Sequence, residues 1–235
     1  MKFGVVVFPG SNCDHDIFHV LGDVLGQEVL PLWHKDTDLN QFDSGDCIIL
    51  PGGFSFGDYL RCGAIASFSP LMQSVKAFAD KGGYVLGICN GFQILCESRL
   101  LPGVLLRNKN QKFICKNIYL KSETQHSLIT QSIPDDLVLQ IPIAHAEGRY
   151  FAEDNTLQQL RDNDQILFTY CDANGDASDN ANPNGASMHI AGICNAERNV
   201  FGMMPHPERA SEVAMGNSDG LLLFKSILKQ MEVAV

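Results

Sequence analysis

Tyr84-Val85-Leu86-Gly87-Ile88-Cys89-Asn90-Gly91-Phe92-Gln93-Ile94-Leu95-Cys96-Glu97 joins a short apolar strand to a helix through a turn flanked by glycines. Residues 84–88 are β-rich and bounded by glycine, and residues 92–97 continue as a helix. A strand that passes directly into a helix is the repeating half of a parallel α/β sheet. Upstream, the same alternation recurs. Residues 3–8 read as a buried strand, and 14–25 as a helix with Ile17, Val20, Leu21 and Val24 at helical spacing. Residues 46–50 read as a second strand and 71–81 as another helix. Downstream the helices thin out: 113–121, 137–144, 165–171, 188–195 and 200–204 read as strands, and 217–231 closes the chain as an amphipathic helix. Residues 172–185, rich in Asp, Asn and Gly, read as a solvated loop. The expected fold is α/β, a mixed, mostly parallel sheet flanked by helices. With no linker or internal repeat in view, residues 1–235 read as a single domain.

The turn itself carries chemistry. Gly87-Ile88-Cys89-Asn90-Gly91 is a Gly-x-nucleophile-x-Gly elbow with cysteine in the nucleophile position. Small residues on both sides permit a tight turn that lifts the side chain out of the sheet. The helix that follows places partial positive charge beside the sulfur and favours thiolate. The backbone N–H of Asn90 would face an oxyanion at the attacked carbon. A packing turn around a buried thiol would use the same glycines, but the strand before the motif and the helix after it favour the nucleophile.

A thiol nucleophile needs a base, and the base needs a third group to set its tautomer. Of seven histidines, His206 stands out in Met204-Pro205-His206-Pro207-Glu208. The prolines bias the residues before them toward extended backbone, where positions two apart project to one side. Glu208 is therefore placed to accept one imidazole N–H while the other nitrogen faces the sulfur. His145-Ala146-Glu147-Gly148 offers the same His-x-Glu spacing after a strand. Spacing leaves both pairs open, and the prolines favour His206.

A second glycine loop, Pro51-Gly52-Gly53-Phe54-Ser55-Phe56-Gly57-Asp58, follows the strand at 46–50. Paired glycines at the carboxyl end of a strand let backbone amides approach a ligand, and ligands of open parallel sheets collect at that edge. The N–H of Gly53 is the expected second oxyanion donor. No Gly-Lys-Ser/Thr follows, so this is not a phosphate-binding loop. Two further patterns fall short. His15 and His19, with Asp14 and Asp16, lack a complete metal-ligand set and read as a helix start with a capping Asp. Asp172-Ala173-Asn174-Gly175-Asp176 lacks the glycine and glutamate of a calcium loop, which has Ala177 and Pro183 at those positions.

Composition narrows the partners. The chain has 235 residues, 17 Lys+Arg against 27 Asp+Glu, and a formal net charge of −10. With no basic run, nucleic acid and anionic membranes are excluded as expected partners. No stretch approaches the roughly 18 apolar residues of a membrane span, and no secretory signal is visible. Eight cysteines without a Cys-x-x-Cys pair read as reduced thiols in a cytoplasm. Only 19% of residues are charged, below the roughly 25% of typical soluble domains, which hints at an apolar surface facing another protein.

Taken together, the Pro-Gly-Gly loop, the Gly-x-Cys-x-Gly-x-Gln elbow and the late Pro-His-Pro-Glu resemble the class I (triad) glutamine amidotransferases, whose fold is flavodoxin-like. More narrowly, four stretches resemble the glutaminase subunits of phosphoribosylformylglycinamidine synthases: residues 8–14, 52–61, 144–150 and 182–185. The resemblance spans nearly the whole chain. It implies Cys89 as nucleophile, His206 as base, Glu208 as its orienter, Gln93 as a contact to bound glutamine, and Gly52 and Gly53 with Asn90 around the substrate and oxyanion. It further implies hydrolysis of glutamine to glutamate and ammonia for purine biosynthesis. The implied partners are a large synthetase subunit, which would hold ATP and Mg, and a small bridging subunit; no cofactor or metal is expected in this chain. Phe56, where relatives often carry Tyr, and Ala186, where Ser often follows, are its small departures. An independent thiol hydrolase on the same scaffold, fully active alone, and a binding subunit with a dead site are the competing expectations.

Overall fold

The computed structural model describes residues 1–233, with side chains through Lys229, so the last two residues of the expected 1–235 span lie outside the described residues. In chain order the first elements are β1 (Phe3–Val7), α1 (Asp14–Phe18), β2 (Val29–Trp33), β3 (Cys47–Leu50), α2 (Pro70–Asp80), β4 (Tyr84–Ile88) and α3 (Asn90–Glu97). Then come β5 (Val104–Leu106), β6 (Ile114–Ser122), β7 (Val138–His145), β8 (Arg149–Phe151), α4 (Asp154–Asp162), β9 (Ile166–Cys171), β10 (Ile190–Cys194), β11 (Val200–Met203) and α5 (Leu221–Val233). They form two compact units, Met1–Leu101 with Asn199–Gly202, and Pro102–Arg198 with the chain from Met203 on.

In the first unit the strand order is β2-β1-β3-β4-β11. The pairings β1–β2, β1–β3 and β3–β4 are parallel, with Phe3 opposite Cys47 and Cys47 opposite Tyr84. Parallel strands covered on both faces are apolar along their whole length, and Phe3, Val5, Val6, Ile48, Ile49, Leu50, Val85 and Ile88 are fully buried. At the β11 end, the Val85 N–H donates to Asn199 O at 2.8 Å, and the Asn199 side chain donates to Ala79 O and Gly83 O. Strand β2 escapes the sequence reading because Pro31 interrupts it. Proline is tolerated on an edge strand, which is where β2 lies. The helix expected over 14–25 is α-helical only to Phe18 and widens to a π-type turn over His19–Val24, with Leu25 N–H reaching Val20 O. Its start is capped by Cys13 with no side-chain hydrogen bond. Asp14 is the first helical residue, and its carboxylate accepts the His15 N–H.

In the second unit the order is β10-β9-β6-β7, all antiparallel, and β5 pairs with β8 in a separate ribbon. The sheet is mixed as expected, with parallel pairings among β1–β4 in the first unit and antiparallel ones among β6, β7, β9 and β10 in the second. Helix α4 was not anticipated, because only Leu160 of its residues is buried and a polar helix carries no apolar period. Helix α5 starts later than residue 217. The Asp219 carboxylate accepts the Gln140 N–H at 2.7 Å and Asn217 Nδ2 donates to Gln140 O, so this segment is committed to β7 before the helix begins. Residues 172–185 contain no strand or helix, and Asp172 Oδ1 accepts the N–H groups of Asn174 and Asp176 in a tight turn.

Candidate active site

The elbow forms where the sequence places it. Cys89 stands between β4 and α3 at φ 51°, ψ −105°, a conformation that costs a non-glycine residue roughly 1–3 kcal/mol and persists only where the surroundings impose it. The imposition comes from the glycines. A Cβ on Gly91 would fall 1.9 Å from Leu50 O, and one on Gly87 would fall 2.7 Å from Gly91 O. Helix α3 can therefore lie directly on the ends of β3 and β4, and Cys89 takes up the sharp reversal. The Asn90 N–H belongs to the first helical turn, whose amides have no intrahelical partner.

Asn90 is 1% exposed and ties the elbow to the glycine loop. Its Oδ1 accepts the Ser55 N–H at 3.1 Å, and its Nδ2 donates to Gln93 Oε1 at 2.8 Å. The loop is also stitched to the segment after β1: Phe54 N–H donates to Gly10 O and Cys13 N–H to Gly52 O. Neither bond uses the Gly53 N–H. Gly53 adopts φ +132°, and a Cβ there would lie 2.6 Å from Asn12 N, so the position is closed to a side chain on both conformational and steric grounds. The first unit thus brings Cys89, Asn90, Gln93, Gly52 and Gly53 into one neighbourhood. Four other cysteines are held as thiols: burial pushes Cys47 and Cys96 far up, and Cys171 and Cys194 to about 11. Cys115 is exposed on β6.

In the second unit His206 and Glu208 do meet, but on a 3-10 turn over Pro207–Arg209 that Pro207 opens, not on the extended segment expected from the prolines. His206 Nδ1 lies 2.6 Å from Glu208 Oε1 with both side chains buried, and the His206 N–H donates to Pro142 O on β7. A carboxylate on Nδ1 leaves Nε2 as the nitrogen available for proton transfer. Gly220 passes against Pro207, where a Cβ would fall 2.0 Å from its carbonyl oxygen, and Ser211 Oγ donates to that same oxygen. The turn is locked on its far side.

The sequence profile of the CobB/CobQ-like glutamine amidotransferase domain matches residues 1–220. The chain belongs to this glutamine amidotransferase family. The phosphoribosylformylglycinamidine synthase subunit PurQ of Koribacter versatilis (strain Ellin345) is 55% identical over 231 residues, 98% of this chain and 99% of that protein. The subunit of the same name from Acaryochloris marina (strain MBIC 11017) is 53% identical over 98% of this chain and 97% of its own length. Among solved structures, a chain from the structure of PurLQS from Thermotoga maritima matches with a TM-score of 0.86 at 40% identity, covering 98% of each chain.

One part of this amidotransferase carries no sequence signature. His145, the rival base, is 3% exposed, and its Nδ1 lies 3.1 Å from Asn108 Oδ1. Asn108 is completely buried, and its Nδ2 donates to His145 O and Lys112 O while Oδ1 also accepts the Gly148 N–H. A lone Asn between Arg107 and Lys109 reads as surface, and only the fold shows it as the post on which His145 is mounted. Glu147 Oε1 lies 3.5 Å from Arg107 Nε. Among the described hydrogen bonds, the His145 ring is paired with Asn108. Among the described residues, no helix is long and apolar enough to cross a membrane.

Proposed function

We propose that this chain, acting as one domain over residues 1–235, is the cytoplasmic glutaminase subunit of a phosphoribosylformylglycinamidine synthase. It supplies ammonia from glutamine to a large synthetase subunit that holds ATP and Mg, within a complex that includes a small bridging subunit. The observation that carries the reading is the strained elbow at Cys89, since a non-glycine residue held at φ 51° at a strand-to-helix turn is the backbone signature of a displayed nucleophile. Identity above 50% to PurQ subunits over nearly the full chain supports the assembly.

In this mechanism the Cys89 thiolate attacks the side-chain amide carbon of glutamine. The N–H groups of Gly53 and Asn90 receive the oxyanion, a contribution of roughly 3–4 kcal/mol for each donor. His206, held in its working tautomer by Glu208, protonates the departing nitrogen as the C–N bond breaks. It then takes a proton from water, which hydrolyses the thioester to glutamate. Gln93, fixed by Asn90, lines the glutamine site beside Gly52. The loop after the glycines exposes Tyr59 and Leu60, and Phe68 follows, 87% exposed. These residues give the synthetase an apolar surface to cover.

The test is reconstitution with the synthetase and bridging subunits. Cys89→Ala is expected to abolish glutamine-dependent synthesis while ammonium-dependent synthesis continues. Retained glutamine use by that variant would refute the reading, and a chain fully active without its partners would mark an independent thiol hydrolase instead.

A further inference from the structure

His145 is a buried titratable group that the triad chemistry does not use. Strand β7 alternates its burial, so His145 follows Leu139, Ile141 and Ile143 on the inward face. Its tautomer can be read from Asn108. Both hydrogens of Asn108 Nδ2 are directed at carbonyl oxygens, His145 O at 2.9 Å and Lys112 O at 2.8 Å, which fixes which end of the amide is oxygen. That oxygen can only accept, so the His145 nitrogen 3.1 Å away carries the proton on Nδ1. The lone pair is left on Nε2. Among the described residues this buried nitrogen has no hydrogen-bond partner, whereas buried polar atoms are almost always satisfied. The ring is also closely seated, since a Cβ on Gly148 would fall 2.3 Å from it. Its atom pattern therefore calls for a small donor.

We propose that Nε2 of His145 is the acceptor that receives an N–H of the ammonia formed beside His206. The inference rests on the glutaminase reading above. It adds a binding site for a small neutral N–H donor, ammonia itself. The backbone of His206 is tied to this strand, its N–H donating to Pro142 O three residues before His145, and burial, then His206, lower the His145 pKa to about 4. A neutral imidazole at this position can hold ammonia without protonating it. Protonation would remove the lone pair with which ammonia attacks the acceptor, so the site suits a product that must leave as NH3.

Two variants separate this role from a structural one. The amide of Asn reaches where Nδ1 sits and that of Gln reaches where Nε2 sits. In the reconstituted complex, His145→Asn is expected to raise the glutamate released per amidine formed, with KM for glutamine little changed, and His145→Gln is expected to restore the wild-type ratio. The reverse order, with Asn tolerated and Gln not, or no change in either variant, would overturn the proposal. A wild-type chain that yields no glutamate would instead count against the glutaminase reading. If neither variant folds, the wild-type protein still decides. Long-range ¹H–¹⁵N spectra should show an unprotonated His145 Nε2 at neutral pH, whose resonance moves on adding ammonium chloride in alkaline buffer, where much of it is NH3, and not on adding the same concentration of sodium chloride. A protonated or unresponsive Nε2 would contradict the inference.

Discussion

The His206 ring is held against the carboxylate of Glu208 at 2.6 Å, and both residues are 1% exposed. Two residues apart on a turn bracketed by Pro205 and Pro207, they form a charge-assisted hydrogen bond from which water is excluded. Glu208→Gln keeps the shape of the side chain and removes its charge. The predicted result is a fall in glutaminase kcat of roughly 10²–10⁴-fold, the range of general acid–base assistance, with KM for glutamine nearly unchanged. Steady-state kinetics of glutamate release in the complex provides the check.

His145 predicts an acid-sensitive contribution to stability. In the folded chain its pKa is lowered to about 4 by burial and then by His206, against an ordinary value of 6.5. Above pH 6.5 neither folded nor unfolded chain protonates it. As pH falls from 6.5 to about 4 the unfolded chain binds a proton that the folded chain does not, so stability declines. Below about 4 the contribution is flat. The loss is on the order of 3 kcal/mol. Urea unfolding across this window should show a steeper fall in stability in the wild type than in His145→Gln. Parallel curves for the two proteins would show that His145 does not titrate as described.

Helix α3 predicts a sharp contrast between two glycines. A methyl at Gly91 meets the backbone oxygen of Leu50, which no rotamer change can move aside, whereas Gly26 at φ +64° has nothing within 4 Å. Gly91→Ala should destabilise the protein by about 3 kcal/mol through overpacking. Gly26→Ala should cost only the left-handed backbone, about 1 kcal/mol. Thermal melts of the two variants test the difference.

Much of this was legible in the sequence because it follows from local rules. Tyr84–Ile88 is the strand its apolar run predicts, Gly87 and Gly91 are the close approaches an elbow needs, and His206 does meet Glu208, though through a 3-10 turn and not the extended backbone its prolines suggest. What the sequence hid depends on tertiary context. Strand β2 contains a proline and is identifiable as an edge strand only once β1 is beside it. Helix α4 has almost no buried face. Asn108 looks like a solvated residue among charges until the four hydrogen bonds of its side chain are seen, and with them the fixed tautomer of His145. The division of the strands into a parallel first unit and an antiparallel second unit was visible as a loss of helices downstream. Its consequence for pairing direction was not, since short apolar runs carry no mark of strand polarity.

The proposed reaction requires a covalent bond between the sulfur of Cys89 and glutamine, and that bond can be trapped. The complex would be mixed with ¹⁴C-glutamine, quenched in acid during turnover, digested and mapped. Label is expected on the peptide containing Cys89 and is expected to be absent in Cys89→Ala. Label on another cysteine such as the exposed Cys115, or glutamate formed at full rate with no acid-stable adduct and undiminished by Cys89→Ala, would contradict it.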